Sequence, residues 1–220
     1  MSIRRGQNWG APGRPAAATP VVASDAAVGD RLERLVDWDQ RIVVGEMPSF
    51  VLTGGDLHRT LGAPRRRGTP EELLAEFTCD VMVLSARDPA GTEIGAVAVA
   101  HVVGVQPTAL RRRPPLWSTP SLVVANAAFV LGDNLAPRAH PGDGWIDVTS
   151  GMLHRRDRGR AAIRARTGTH VPHPDLTERR VREWKADPRV TYLLAVDGRS
   201  IGRVSDLRVT VVPDAIQVFV

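Results

Sequence analysis

The last hundred residues contain a succession of short apolar segments separated by turn residues. Segments such as RVTYLLAVDG, RSIGRVSDLRVTVVP and AIQVFV alternate apolar with polar residues or run apolar throughout, which is typical of β-strands. Between the apolar segments, RRDRGRAAIRART has the spacing of a short amphipathic helix. We therefore predict that residues 121–220 form a mostly antiparallel sheet with one helix.

The first half of the chain instead alternates strand patterns with helix patterns. PVVAS and PSFVLTGG are predicted to be short buried strands. Ser24 has the residue type of an N-cap for the helix DAAVGDRLERLVDWDQR, and DLHRTLG can open a second helix after Gly54 and Gly55. Thr69 and Glu72 have the spacing of a capping box, which predicts a third helix over PEELLAEF. This β-α-β-α order is typical of an α/β layer.

Shifts in composition divide the chain into segments. Residues 1–20 are rich in Gly, Pro and Ala, and we expect them to form an extended arm. Residues 21–75 carry the α/β pattern and residues 76–220 carry the β-rich pattern. A Pro- and Arg-rich connection covers 107–120. The predicted fold class is therefore α/β followed by β.

The charge of the chain permits anionic partners. Lys and Arg number 29 against 24 Asp and Glu, which gives a formal net charge of +5 at pH 7. Nearly all of the positive charge is arginine, whose guanidinium suits bidentate contacts with phosphate and carboxylate. Nucleotides, lipid headgroups and a membrane surface are all compatible with this surplus. No basic stripe carries interleaved aromatic residues, so the sequence does not favour nucleic acid as a partner.

Cysteine content and hydropathy bear on location. Cys79 is the only cysteine, so one chain can form neither a disulfide nor a cysteine-based zinc site. A free thiol suits a reducing compartment, and the N-terminus lacks the apolar core of a signal peptide. No run approaches the ~20 apolar residues of a membrane helix. We therefore expect a cytoplasmic protein whose membrane contact would be peripheral, at the inner surface.

Six short motifs occur in order over the last hundred residues. Two of them contain Asp-Gly pairs, which favour turns because glycine adopts positive φ at no steric cost. The motifs are Ala125-Asn126-Ala127, Gly132, Ala136-Pro137-Arg138-Ala139, Asp143-Gly144-Trp145-Ile146-Asp147-Val148, GRAAIRARTGTHVPHPDL with the later Val196-Asp197-Gly198, and VTVVPDAIQVFV. Together they resemble the C-terminal domain of the diacylglycerol and sphingosine kinases, lipid kinases of the NAD kinase superfamily. The resemblance implies a β-sandwich-like C-terminal domain after a reduced, Rossmann-like α/β layer.

The resemblance also implies roles for individual residues of this half. Asp143 matches an aspartate that, with nearby backbone oxygens, holds a structural Mg²⁺ in bacterial lipid kinases, and oxygen ligands suit this cation. Asp197 would belong to the catalytic acid/base network, and Asn126 would contact the nucleotide. Directly after the second Asp-Gly pair the family has a glutamate, where this chain has Arg199. This change replaces a proton acceptor with a permanent cation.

A second match lies in the N-terminal half. The family carries Gly-Gly-Asp-Gly-Thr between a strand and a helix, where the backbone approaches the nucleotide phosphates. Here Gly54-Gly55-Asp56 is followed by Leu57 in place of the third glycine, and threonine comes only at Thr60. The resemblance implies Gly54, Gly55 and Thr60 as cofactor-binding residues and Asp56 as a catalytic carboxylate. A plain strand-to-helix turn explains these residues about as well, and the family's second phosphate loop, Gly-Thr-x-Asn-Asp, does not occur.

Several other polar residues are candidates on spacing alone. His170 and His173 in THVPHPDL are spaced like ligands, but an extended i, i+3 pair points to opposite faces, so we expect loop packing. Asp25 and His58 follow predicted strands and could face a cleft between the domains. The spacing does not establish such a role for either residue.

Three functions remain open from the sequence. The leading hypothesis is a degenerate, non-catalytic relative of the lipid kinases that binds a lipid, a nucleotide or a protein partner. The first alternative is an active lipid kinase, for which the resemblance implies ATP and Mg²⁺; a degenerate relative could need neither. The second alternative is a structural or regulatory subunit that co-purifies with its partner. A homodimer is compatible with each of the three.

Overall fold

Strands dominate the computed structural model of the protein, which describes residues 9–40, 42–43, 45–62, 73–108 and 115–220. Within these ranges the chain forms fourteen strands and three α-helices. The strands are β1 (Ala11–Gly13), β2 (Val21–Val22), β3 (Val36–Asp37), β4 (Ile42–Val43), β5 (Ser49–Leu52), β6 (Leu74–Arg87), β7 (Glu93–Ala98), β8 (His101–Val105), β9 (Ser121–Ala125), β10 (Ile146–Gly151), β11 (Leu176–Val181), β12 (Glu183–Lys185), β13 (Tyr192–Val196) and β14 (Arg199–Phe219). The helices are α1 (Asp25–Leu32), α2 (Asp56–Thr60) and α3 (Arg158–Ala165).

The long strand β14 organises the sheet. Its first residues pair with β13 and its remainder pairs with β6, both antiparallel. The pairing of β14 with β6 shifts register between Ser205 and Arg208 and again between Val212 and Ile216. Such irregularities bend a strand. The sheet runs in the order β1-β6-β14-β13-β8-β9-β10-β11, and β7 pairs with β6 while β12 pairs with β14.

Two parts of this sheet face each other across an apolar core. Side chains from β6, β7 and β14 meet side chains from β8, β9, β10 and β13 in one cluster of buried residues. On β9, Leu122 and Val124 point into this core, while Val123 and Ala125 join a second cluster under α3. Successive residues of a strand point to opposite faces, so SLVVA is buried on both faces and contains no exposed polar position. The second half is the predicted β-sandwich-like domain.

The N-terminal layer extends the same sheet. β2 pairs in parallel with β5, and β5 pairs in parallel with the end of β14. α1 covers these strands with Val28 and Leu32, which are fully buried in a third apolar cluster. The predicted reduced Rossmann-like layer is not confirmed, because its two described parallel strands lie at an edge of the large sheet. The predicted division near residue 75 stays a prediction.

Two predicted helices differ from the structure. The helix capped by Ser24, whose Oγ accepts the N–H of Ala27 at 3.3 Å, ends as an α-helix at Leu32, followed by a 3₁₀ turn (Glu33–Leu35) and β3. The predicted helix PEELLAEF is wrong in its described part, because β6 begins at Leu74 and pairs with β1 and β14. Long-range strand pairing there overrides the local helical pattern. The proposed capping-box residues lie outside the described residues.

Other predicted elements are confirmed or partly described. RRDRGRAAIRART contains α3, and RVTYLLAVDG contains β13. Within the predicted arm, β1 pairs with β6, and the ring of Trp9 lies 4.7 Å from that of Phe77. Residues 1–8 of the arm and 109–114 of the predicted connection lie outside the described residues. Among the described helices, none is long and apolar enough to cross a membrane.

Candidate functional site

The turn between β5 and α2 forms one side of the candidate site. Gly55 has a φ of +104°, which favours glycine, and a Cβ atom there would lie 2.3 Å from Oδ1 of Asp25. A Cβ atom on Gly54 would lie 2.7 Å from the carbonyl oxygen of Ala23. The two glycines thus let the start of α2 approach the start of α1.

Asp25 occupies the N-terminal end of α2. This residue is the first of α1 and is 4% exposed. Its Oδ2 accepts the backbone N–H of Asp56 at 2.5 Å, and its Oδ1 accepts the N–H of Leu57 at 3.3 Å. N–H groups in the first turn of a helix have no partner within the helix and are a ready site for an anion. In this protein the side chain of Asp25 takes that position.

The carboxylate of Asp56 contacts the loop after β9. Its Oδ1 accepts the N–H of Gly132 at 3.0 Å. Its Oδ2 lies 3.4 Å from Nδ1 of His101, and the two side chains are 14% and 3% exposed. The predicted catalytic carboxylate is therefore almost enclosed beside a histidine.

Arg59 and Thr60 fasten α2 to the same loop. Arg59 donates to the carbonyl of Gly132 at 2.5 Å, and its guanidinium lies 4.3 Å above the ring of Phe129. Thr60 Oγ1 donates to the carbonyl of Asp56 at 2.8 Å and accepts the N–H of Phe129 at 3.3 Å. The hydroxyl of Thr60 is thus engaged within the protein, and its contact with a nucleotide stays a prediction.

Asp197 lies in the tight turn between β13 and β14. It has a φ of +48°, and Gly198 after it has a φ of +80°. Its carboxylate accepts the backbone N–H groups of Val99, Ala100 and His101 at 2.8–3.1 Å. These bonds hold the corner between β7 and β8 next to α1. The structure leaves the catalytic role of Asp197 as a prediction.

Two buried carboxylates near this corner have raised pKa values. Burial, and after it the charge of Asp197, raises the pKa of Asp25 to about 8, although the N–H groups of Asp56 and Leu57 oppose the rise. Burial also raises the pKa of Asp197, against the opposing effects of His101 and three backbone N–H groups. Neighbouring like charges resist ionising together. The surroundings of both carboxylates therefore favour the protonated form over the ionised form.

Arg199 joins the second half of the chain to the first. Its guanidinium forms ion pairs with Asp30 of α1 and with Glu33 of the 3₁₀ turn. The guanidinium side chain is 34% exposed, so these pairs lie at the rim of the site. A cation paired with two acidic residues thus stands where the resemblance to the lipid kinases implied a glutamate.

Asn126 holds the interior of the β domain together. It has no exposed surface, and its Nδ2 donates to the carbonyls of Asp80 and Val99, both at 2.9 Å. The amide thereby joins β9 to β6 and to the corner after β7. Its predicted contact with a nucleotide is untested.

Asp143 does not present the ligand set that a divalent cation needs. Its Oδ2 forms an ion pair with Arg180, and its Oδ1 accepts the N–H of Trp145 at 3.0 Å. A hard cation requires several free oxygen atoms, whereas one oxygen here already faces a fixed positive charge. In this arrangement Asp143 offers no free oxygen atom to Mg²⁺, and its metal role stays a prediction.

Two residues of this region were not singled out in the sequence. Asp80 is 1% exposed, and it accepts the N–H of Gly144 at 2.7 Å and of Asp214 at 2.9 Å. Burial raises its pKa to about 6. His101 is the other residue. Asp80 is the single Asp of the apolar segment CDVMVL, and His101 is the single His of AVAVAHVVGV. A polar residue within an otherwise apolar strand pattern is the sequence signal by which Asp80 and His101 could have been found.

Solved structures with a similar fold come from Bacillus anthracis strain Sterne. A proposed diacylglycerol kinase has a TM-score of 0.61 and 12% identity, over 90% of this chain and 76% of that chain. A second has a TM-score of 0.54 and 12% identity, over 78% of this chain and 69% of that chain. At this identity the likeness shows the fold alone. The class that the fold defines is therefore a diacylglycerol kinase-like fold.

A family sequence model narrows this class. The family described as the YegS C-terminal NAD kinase beta sandwich-like domain matches residues 96–220, more than half of the chain. The chain therefore belongs to this family, and the resemblance drawn from the six motifs is confirmed. Among curated proteins, none matches the sequence significantly.

Proposed function

We propose that this chain is a non-catalytic, diacylglycerol kinase-like protein in which Asp25 takes the place of nucleotide phosphate. The observation that carries the proposal is the pair of hydrogen bonds from the N–H groups of Asp56 and Leu57 to the carboxylate of Asp25. The resemblance to the lipid kinases implies that the equivalent turn approaches the nucleotide phosphates in that family. Here a phosphate would have to displace a buried side chain of the protein.

The position of Arg199 supports the same proposal. Phosphoryl transfer to a hydroxyl needs a group that accepts or orients the hydroxyl proton. A guanidinium cannot accept that proton, because it carries no lone pair for it at accessible pH. Its ion pairs with Asp30 and Glu33 also tie α1 to the β domain across the rim.

An active lipid kinase is the second candidate, favoured by one arrangement. Nδ1 of His101 lies 3.4 Å from Oδ2 of Asp56, and Asp197 binds the backbone beside them. A histidine next to a carboxylate is a common proton acceptor in catalysis. In this alternative Asp56 is the surviving catalytic carboxylate, and ATP and Mg²⁺ are required.

For the binding role we propose a lipid or protein partner in the cytoplasm. Peripheral contact with the inner membrane surface is part of this proposal, and the arginine surplus supports it because arginine suits anionic headgroups. A regulatory subunit is the form of the proposal in which the partner is a protein.

The experiment is a phosphoryl-transfer assay. Purified protein is incubated with labelled ATP, Mg²⁺ and diacylglycerol in detergent micelles, and labelled lipid is separated by chromatography. We expect wild type to match the background of Asp56→Asn. Transfer that is abolished by Asp56→Asn but kept by Asp39→Asn, the same change at an exposed position, would establish the kinase alternative.

A second variant tests the reason for inactivity. Asp25→Ser removes the carboxylate and frees the N–H groups of Asp56 and Leu57, so ATP should raise the melting temperature of this variant more than that of wild type. Asp39→Ser is the matched control and should respond like wild type. Equal responses in all three proteins would show that Asp25 does not block a phosphate site.

A further inference from the structure

Three side chains with metal-ligand chemistry converge beside α3. Asp157 precedes this helix, and His173 and Asp175 lie in the loop between α3 and β11. One ligand atom from each residue lies within 4.8 Å of those of the other two. Among the described residues this is the only such group of three. Asp143, in the turn before β10, and its partner Arg180, on β11, are not part of this group.

The carboxylate of Asp157 does not cap α3, although Asp157 is the N-cap residue of this helix. Aspartate at the N-cap of a helix ordinarily accepts a backbone N–H from the first turn. At Asp157 no side-chain capping bond forms. The carboxylate instead lies near His173 and near Asp175, which carries the same charge.

The ion pair that Asp157 forms with a neighbouring arginine offsets its charge only weakly. Arg156 Nε lies 3.5 Å from Oδ2 of Asp157, but the Arg156 side chain is 84% exposed, so solvent screens this pair. The side chains of Asp157 and Asp175 are 26% and 29% exposed and that of His173 is 19% exposed. Two half-buried carboxylates held this close by separate segments are stabilised when a cation lies between them.

The imidazole of His173 offers a lone pair to the same group of ligand atoms. Nδ1 of His173 accepts the backbone N–H of Asp175 at 3.2 Å, so Nδ1 is unprotonated in the neutral ring. The same nitrogen lies 3.9 Å from Oδ2 of Asp175. Metals take neutral imidazole through either nitrogen. Nδ1 can therefore bind an ion between the ring and the carboxylates after giving up a long hydrogen bond.

We propose that Asp157, His173 and Asp175 form a binding site for a divalent first-row transition metal ion, with Zn²⁺ as the best match. One nitrogen and two carboxylate oxygens suit Zn²⁺, and the imidazole argues against Mg²⁺ or Ca²⁺, which prefer oxygen. Three protein ligands leave a fourth position for water. The ion links the start of α3 to the loop before β11. This inference does not depend on whether the chain transfers phosphate.

The test uses the full chain, stripped of metal with a chelator and dialysed against Zn²⁺. We expect one tightly bound ion per chain, with an X-ray absorption spectrum of nitrogen and oxygen ligands only. His173→Gln and Asp175→Asn should each weaken binding at least tenfold, because even indirect partners of a metal cost that much when removed. His154→Gln, an exposed histidine outside the group, should keep the wild-type affinity.

A stability measurement separates loss of the site from loss of the fold. Without metal, Asp157→Asn should melt at or above the wild-type temperature, because one of two like charges is gone. With Zn²⁺, only wild type and His154→Gln should gain melting temperature. Absence of binding to wild type would overturn the proposal, as would equal binding to His173→Gln and wild type or an equal loss in His154→Gln.

Discussion

Raising the pH should destabilise this protein through Asp25. In the folded state the pKa of Asp25 is raised from 3.8 to about 8, chiefly by burial and then by the charge of Asp197. The folded state therefore holds the proton more tightly than the unfolded chain does. The proton on Asp25 therefore contributes to the free energy of unfolding. This contribution is fully present below the pKa of the unfolded chain, 3.8, and it is lost as the pH rises through the pKa of the folded state, about 8. Asp25→Asn cannot ionise and should remove the effect.

The size of the loss follows from the two pKa values. Each pH unit between them changes the free energy of unfolding by about 1.4 kcal/mol for one group. Between about pH 6 and about pH 9 the loss should reach about 2–3 kcal/mol, because it levels off once the folded group has ionised. The side chain is 4% exposed, so solvent screens it little. Against a total stability of about 5–15 kcal/mol the change is measurable.

Urea denaturation followed by tryptophan fluorescence provides the assay. The free energy of unfolding is measured at several pH values for wild type, Asp25→Asn and the exposed control Asp39→Asn. Wild type and the control should lose stability with rising pH, while Asp25→Asn should give a flatter profile. If Asp25→Asn follows the wild-type slope, Asp25 does not carry a raised pKa and the description of its buried environment is wrong.

Two further substitutions test the contacts that shape the site. Asn126→Ala leaves the buried carbonyls of Asp80 and Val99 without their donor. Urea denaturation should therefore show that the free energy of unfolding falls by about 2–4 kcal/mol. An unchanged midpoint would mean that these two hydrogen bonds do not stabilise the protein. Gly55→Ala forces a Cβ atom to 2.3 Å from Asp25 at a φ of +104°, whereas Gly62 has positive φ with open space around it. Gly55→Ala should therefore lower the free energy of unfolding by clearly more than the ~1 kcal/mol expected from backbone strain in Gly62→Ala. Equal losses in the two variants would contradict the close contact between residue 55 and Asp25.

The second half of the chain was largely predictable from the sequence. Its strands are buried on one or both faces, so their apolar patterns are strong and local. The Asp-Gly pairs form turns as expected, since Gly144 and Gly198 both have positive φ. α3 also lies where the amphipathic spacing predicted a helix. These features depend on residues that are near one another in the sequence.

The first half was less predictable, because long-range pairing decides it. The segment beginning at Leu74 has helical spacing, but hydrogen bonds with β14, more than a hundred residues away, make it a strand. The expected continuous helix stops at Leu32, and Val36 instead pairs with Val43 in β4. Local propensity is a weak prior where tertiary contacts of this kind compete with it.

The candidate site combines local turns that the sequence predicts with long-range contacts that it does not. The glycine turn before α2 and the Asp197 turn were found from motifs, but their partners were not. Asp25 contacts Asp56 across 31 positions, and Asp197 contacts His101 across 96. Spacing along one sequence gives no measure of such distances. The occupation of the α2 end by Asp25, on which the proposed function rests, therefore had to come from the structure.

Calorimetric titration of the protein with ATP and Mg²⁺ tests whether Asp25 keeps nucleotide out of the site. We expect no saturable binding to wild type up to millimolar ATP, because the carboxylate of Asp25 already accepts the N–H groups at the start of α2. Saturable binding by wild type that Asp56→Asn abolishes and Asp39→Asn retains would contradict it, and would show that nucleotide enters the site despite Asp25.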